Sequence, residues 1–138
     1  MQPVGEVEFV KSIAASADGN HRKPRLCAGI VGHADLRLGD RVQPVLEALL
    51  AASDGRLRGI RDHVRWDADL ASTHDVPPHL MLDPAFRRGY SRLQPLGLSF
   101  GVSQFYTQLP ELTDLLHAFP DINVIVKHFG GLLGMPPQ

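Results

Sequence analysis

Three short apolar runs in this chain each end in a histidine: Ala28 to His33, Leu57 to His63 and Ile122 to His128. In parallel α/β folds, ligands and catalytic groups gather just beyond the carboxyl ends of strands, so these three imidazoles are candidates for one shared mouth. A neutral imidazole can hold a zinc-like ion or polarise a carbonyl. Side chains alternate along a strand, which places Arg61 and His63 on one face and Asp62 on the other. The same rule groups Val124, Val126 and His128 and sends Lys127 to the opposite side. Arg61 beside an imidazole suits carboxylate binding, because a guanidinium grips both oxygens; otherwise it would satisfy loop carbonyls. His128 precedes Phe129-Gly130-Gly131, where paired glycines allow a sharp turn or a close approach to a ligand. Gly32 before His33 permits a tight strand-to-loop turn. His21, His74, His79 and His117 read as structural or solvated, and Trp66 and Tyr106 as pocket walls or as packing under a loop. Cys27, early in an apolar run, reads as an inert core thiol.

The elements that would position these groups alternate between helix and strand. Val7, Val10, Ile13, Ala14 and Ala17 recur at helical steps over residues 4–17, with Gly19 as a stop. Leu26 to Val31 lacks alternation, the pattern of a strand covered on both faces. Asp40 is placed to cap a helix bearing Val42, Val45, Leu46, Leu49 and Leu50, with Pro44 in its first turn. Leu57 to Arg61 is a second strand, and the aperiodic stretch from Asp62 to Leu82, holding Pro77-Pro78, is a long loop. Asp83-Pro84 marks a cap and first helical position before Phe86, Tyr90, Leu93 and Leu96. Leu98 to Val102 is a third strand, Leu109 to Ala118 a helix, and Ile122 to Val126 a fourth strand. Such alternation predicts a parallel sheet with helical crossovers. At 138 residues the length favours a small doubly wound sheet, since a closed (β/α)₈ barrel takes about 250.

Composition excludes several classes. With 43% hydrophobic and 21% charged residues the chain fits a folded domain. A formal charge of −1 without like-charge blocks argues against capture of nucleic acid or an acidic membrane. The single cysteine excludes a disulfide framework and suits the cytoplasm. The amino end lacks the pattern of a secretory signal, and no apolar run approaches the roughly 20 residues of a bilayer span. Gly-x-Ser-x-Gly, Walker-type and Gly-x-Gly-x-x-Gly motifs are absent, which argues against dinucleotide or ATP chemistry.

Ala28-Gly29-Ile30-Val31-Gly32-His33-Ala34-Asp35-Leu36, Arg58-Gly59-Ile60-Arg61, Leu98-Ser99-Phe100, Gln108-Leu109-Pro110-Glu111-Leu112 and Ala118-Phe119-Pro120-Asp121 leading to His128-Phe129-Gly130-Gly131 stand in an informative order. Together they resemble the amidohydrolase-related metal-dependent hydrolases, the branch with 2-pyrone-4,6-dicarboxylate hydrolase-like lactonases. The resemblance implies an α/β fold, a partial (β/α)₈ TIM barrel of about four parallel strands, as one incomplete domain over residues 1–138. It implies hydrolysis of an ester, lactone or amide bond in a small carbonyl substrate, with a divalent, zinc-like metal possible. His128 matches the histidine ending the sixth strand, for carbonyl polarisation or metal contact, and Arg61 the substrate-contacting arginine ending the fourth. His33, His63 and Tyr106 fall to the substrate pocket. The family's first-strand His-x-His would precede Met1 and its last-strand aspartate would follow Gln138, so the chain is expected to be inactive alone. Locally, Tyr106-Thr107-Gln108 replaces a common His-Pro-Gln, Gly101 a common acid, and Lys127 a usual Asn or Asp. The alternative is a non-catalytic α/β binding or interaction domain. Either way, open sheet edges call for a complementing chain or self-association.

Overall fold

The computed structural model describes residues 3–18, 27–70 and 75–132. Four helices and four strands alternate along them: α1 (Pro3–Asp18), β1 (Ile30–His33), α2 (Gln43–Ala52), β2 (Leu57–His63), α3 (Pro84–Ser91), β3 (Ser99–Ser103), α4 (Leu109–Ala118) and β4 (Val124–Val126). All strand pairs are parallel and the spatial order is β1-β2-β3-β4. A doubly wound sheet reverses its strand order at a switch point; this one adds each strand beside its predecessor, as a barrel does. The fold is therefore an arc of a (β/α) barrel, and the doubly wound alternative is set aside.

Local chemistry accounts for most boundaries. Asp83 caps α3, its Oδ1 accepting from Phe86 N at 2.8 Å, and Pro84 opens the first turn where a missing N–H does no harm. Pro44 and Pro110 play the same part in α2 and α4. Asp40 does not cap α2. A 3₁₀ segment, Leu36–Val42, fills the space before it, Val42 occupies the cap position, and the Asp40 carboxylate takes Arg92 Nη2 at 2.5 Å. Asp35 caps the 3₁₀ segment instead, accepting from Arg37 N at 3.0 Å.

Register sets the two faces of the sheet. Gly32, Ile60, Phe100 and Val124 lie side by side on the helix-covered face, where Ile60 and Phe100 are fully buried. Phe100 meets Phe86 and Tyr90 with ring centroids 6.2 and 5.2 Å away, and Tyr90 meets Phe119 at 5.3 Å. Gly89 lets α3 lie directly on the 3₁₀ segment, because any Cβ there would overlap the Leu36 carbonyl. Helix α1 runs along the β1 edge. Its Val7 stands 3.7 Å from the position of a Gly32 Cβ on the core face, while Glu6 reaches Arg61 on the other.

Among the described residues no helix lies over the opposite face, which corrects the reading of the first strand as buried on both sides: Val31 is 43% exposed. Leu26 is outside the described residues, and Cys27 stands half-buried in a turn at φ +49° before β1 begins, not in the strand core. Strand β2 continues through Asp62 and His63, two residues into the expected loop, and β4 starts at Val124 because Ile122 belongs to the turn leaving α4. On α1, Val7 and Ala14 are buried as the periodicity predicts, whereas Ile13 is 41% exposed and Ala17's side chain lies outside the described residues. No helix among the described residues is long and apolar enough to cross a membrane.

Candidate functional site

Because the strands are parallel, their carboxyl ends open at one end of the sheet. His33 pairs in register with Arg61, Arg61 with Gly101, His63 with Ser103, and Gly101 with Ile125. By register these residues share one face, which puts the backbones of His33, Arg61 and His63 side by side there and Asp62 on the opposite parity, although the His33 ring turns to within 4.0 Å of Asp62 Oδ1. The parity of β4 places Lys127, two residues after Ile125, on this face too. Val124 and Val126 belong to the core side.

His128 is not part of this cluster. Strand β4 ends before it, and both His128 (φ +52°) and Phe129 (φ +53°) are left-handed in a turn whose closing bond runs from Gly131 N to His128 O at 2.9 Å. The His128 side chain is exposed. Tyr106 opens a 3₁₀ turn after β3, donates its backbone N–H to Gly131 O at 3.2 Å, and is half exposed at the rim. His79 makes a surface contact with Glu111 (Nδ1 to Oε1, 2.8 Å), and Trp66 lies 6.5 Å from its ring. His117 ends α4, while His21 and His74 lie outside the described residues.

The electrostatics of the mouth follow from burial and crowding of cations. Arg61 Nη2 donates to Glu6 Oε1 at 2.7 Å. His33 Nδ1 lies 3.1 Å from Arg61 O; a carbonyl only accepts, so Nδ1 carries the proton and Nε2 is left as the ring's acceptor. Burial pushes the His63 pKa below its ordinary 6.5, and the positive charges of Arg65, Lys127 and Arg61 push it further. Lys127 is lowered by burial and then by Arg61. Asp62, beneath the mouth, is raised by burial although His63 N and Leu36 N donate to it at 2.8 and 3.3 Å. Beside His33 an apolar cleft of about 450 Å³ opens between α1 and α2, bordered by Val4, Leu38, Val45 and Asp35. Burial works to raise the Asp35 pKa, but the Arg37 side chain and backbone N–H hold it below the ordinary value.

Three residues of the site were not singled out by sequence reasoning. Gln108 is buried and ties two mouth loops together: its Oε1 accepts from Trp66 N (3.1 Å) and Phe105 N (3.2 Å), and its Nε2 donates to Val64 O (2.7 Å). Glu6 reaches the site from 55 positions away in the chain. Lys127 was sent to the face opposite His128 without the register that makes that the face of Arg61.

The family model described as amidohydrolase matches residues 20–137. The chain belongs to the amidohydrolase family. It is 32% identical over 128 residues to the uncharacterized protein y4mH of Sinorhizobium fredii, covering 93% of this chain and 40% of that protein. Among solved structures it is similar to an amidohydrolase from Burkholderia multivorans crystallised with bound HEPES, with a TM-score of 0.61 and 26% identity. That match covers 91% of this chain and 38% of the other. This amidohydrolase chain thus spans about two fifths of the length of the relatives it matches. Members of the family are generally metal-dependent. Among the described residues of this one, no three His, Cys, Asp or Glu side chains are grouped to hold an ion.

Proposed function

We propose that this amidohydrolase chain forms one arc of the mouth of a hydrolase acting on an ester, lactone or amide bond, in the manner of the 2-pyrone-4,6-dicarboxylate hydrolase-like lactonases. The observation that carries the reading is the gathering of His33, Arg61 and His63 at the carboxyl ends of neighbouring strands, on the face that a closed barrel encloses. Arg61 holds an anionic group of the substrate, and His33 and His63 form the wall. His128 and Tyr106, exposed at the same end, meet the carbonyl side once the rest of the mouth is supplied, together with any zinc-like metal and the group that activates water. The partner is a small carbonyl compound in the cytoplasm, not nucleic acid or membrane, in keeping with a net charge of −1. Four strands leave the barrel open, so the chain alone is inactive.

The test is an ester and lactone hydrolysis assay on the chain alone and on a chain extended to the full length of its relatives. Activity is expected only in the extended protein, lost on chelation and in His128→Ala, and reduced about 100-fold in Arg61→Ala. Full activity in either variant overturns the assignment.

A second reading is favoured by one observation: Ile125 is 54% exposed and Phe129 fully exposed around the β4 edge. Such an edge suits a non-catalytic domain that pairs with another chain or with its own copy. A stable monomer across concentration in sedimentation would overturn it.

A further inference from the structure

The floor of the mouth carries more positive charge than the described chain neutralises. Lys127 and Arg61 border one space that Gly101 leaves empty of side chain: a Cβ built on Gly101 would stand 3.1 Å from Lys127 Cε, 3.7 Å from Lys127 Nζ and 3.7 Å from Arg61 Cβ. His63 lies on the same face, one register position further along the strands. Two cations packed together this way repel each other and are partly desolvated, an arrangement that an intervening anion relieves. Glu6 provides one carboxylate and places it on Arg61 at 2.7 Å. Among the described residues no carboxylate forms an ion pair with Lys127. The chain thus displays, with its own side chain, the chemistry that Arg61 accepts, and among the described residues leaves the neighbouring ammonium without a counter-ion.

We propose that Lys127 is a second anchor of the site, so that Lys127 and Arg61 together clamp one oxyanion group of a ligand, a carboxylate or a phosphate, above Gly101. The ligand's oxygens take the place on Arg61 that the Glu6 carboxylate holds in its absence. An ammonium and a guanidinium do different work here: the planar fork of Arg61 fixes the orientation of the group, and the flexible Lys127 closes over it as a point charge. This deepens the hydrolase reading by assigning the substrate an anionic group held at two points. It requires binding but no turnover, so the two readings fail separately.

The experiment is a titration of the full chain with inorganic phosphate and, separately, with acetate, followed by calorimetry and by backbone amide shifts at Gly101 and Lys127. Lys127→Met should weaken binding of the preferred anion at least about tenfold, the effect of removing one charge-assisted contact. Lys11→Met, the same charge change on the exposed side of α1, should leave it unchanged. Gly101→Asp, which puts a carboxylate between the two cations, should abolish binding while keeping the melting temperature. Glu6→Gln should tighten binding several-fold by removing the competitor. Stronger binding of phosphate than acetate assigns a phosphate-bearing ligand, and the reverse a carboxylate. Equal affinities for Lys127→Met and Lys11→Met, undiminished binding by a folded Gly101→Asp, or weaker binding by Glu6→Gln each overturn the proposal.

Discussion

The two faces of the sheet are made from alternate residues of the same four strands, and they have opposite physics. Towards the helices, Ile60, Phe100 and Val102 sit among aromatic and aliphatic side chains with no exposed surface. Towards the open side, the same strands contribute Gly59, Ser99 and Gly101, the last beside Lys127 and Arg61, with Val31 and Ile125 left in solvent. One face spends the available apolar surface on stability; the other keeps its side chains small or charged and leaves room above them. The lesson is that stability and ligand chemistry are separable here by a single step along the strand.

That separation can be attacked most strongly at Phe100, whose truncation to Ala should cost about 3–5 kcal/mol by opening a cavity beside Phe86 and Tyr90. Chemical denaturation would register it as a lower midpoint with an unchanged slope. Next in size, Gly89→Ala should destabilise by roughly 1–3 kcal/mol because the new methyl meets the Leu36 backbone. Gly101→Ala should cost less than about 0.5 kcal/mol, since its nearest neighbour is the movable end of Lys127. Equal costs for the two glycines would show that the space above Gly101 is as closely packed as the contact of α3 with the 3₁₀ segment.

Asp62 lies between the two worlds, with its carboxylate on the core side directly below the mouth. Burial raises its folded pKa above the ordinary 3.8, so the folded state binds more protons than the unfolded state between those values. Stability tied to Asp62 is therefore fully present below pH 3.8 and is lost as pH rises through the raised value. Asp62→Asn should stay within about 1 kcal/mol of the parent at neutral pH and remove that part of the pH dependence. An unchanged stability profile in the variant would show that the carboxyl is not desolvated. The smallest effect concerns His63: nuclear magnetic resonance titration should find its pKa below 6.5, and Lys127→Met should move it upward by removing one of the charges that depress it. A His63 value indifferent to Lys127 would place the two groups apart.

The helices were legible in the sequence where the chemistry is local. The Asp83-Pro84 cap, the apolar stripe of α2 and the Pro110 opening of α4 are each decided within a turn of the residues that display them. Strand parity was equally legible, and it brought Arg61 and His63 together correctly. What escaped was relational. The face on which Lys127 lies depends on the pairing of Val102 with Val126, a fact about two segments that neither contains. His128 was read as the end of a strand, but the last backbone bond to β3 is made by Lys127 N to Val102 O at 3.0 Å, and His128 begins a left-handed turn closed by the paired glycines. Asp40 reads as a cap until Arg92, 52 residues away, claims its carboxylate. The family resemblance, resting on many short motifs in order, survived all of these local errors because it did not depend on any one of them.

The strand order has a kinetic meaning. Each strand lies beside the one that precedes it in the chain, so every pairing closes one intervening helix with its connections, and no pairing involves a more distant segment. Loop-closure entropy grows only with the logarithm of length, about 0.6 kcal/mol per doubling, so the interval from β2 to β3 and the interval from β1 to β2 carry similar costs. Assembly can then proceed by accretion, as in a repeat protein, with β2 and β3, flanked on both sides, protected longest from amide exchange. A chain built this way can lengthen or shorten by whole strand-helix units without rewriting the contacts already made.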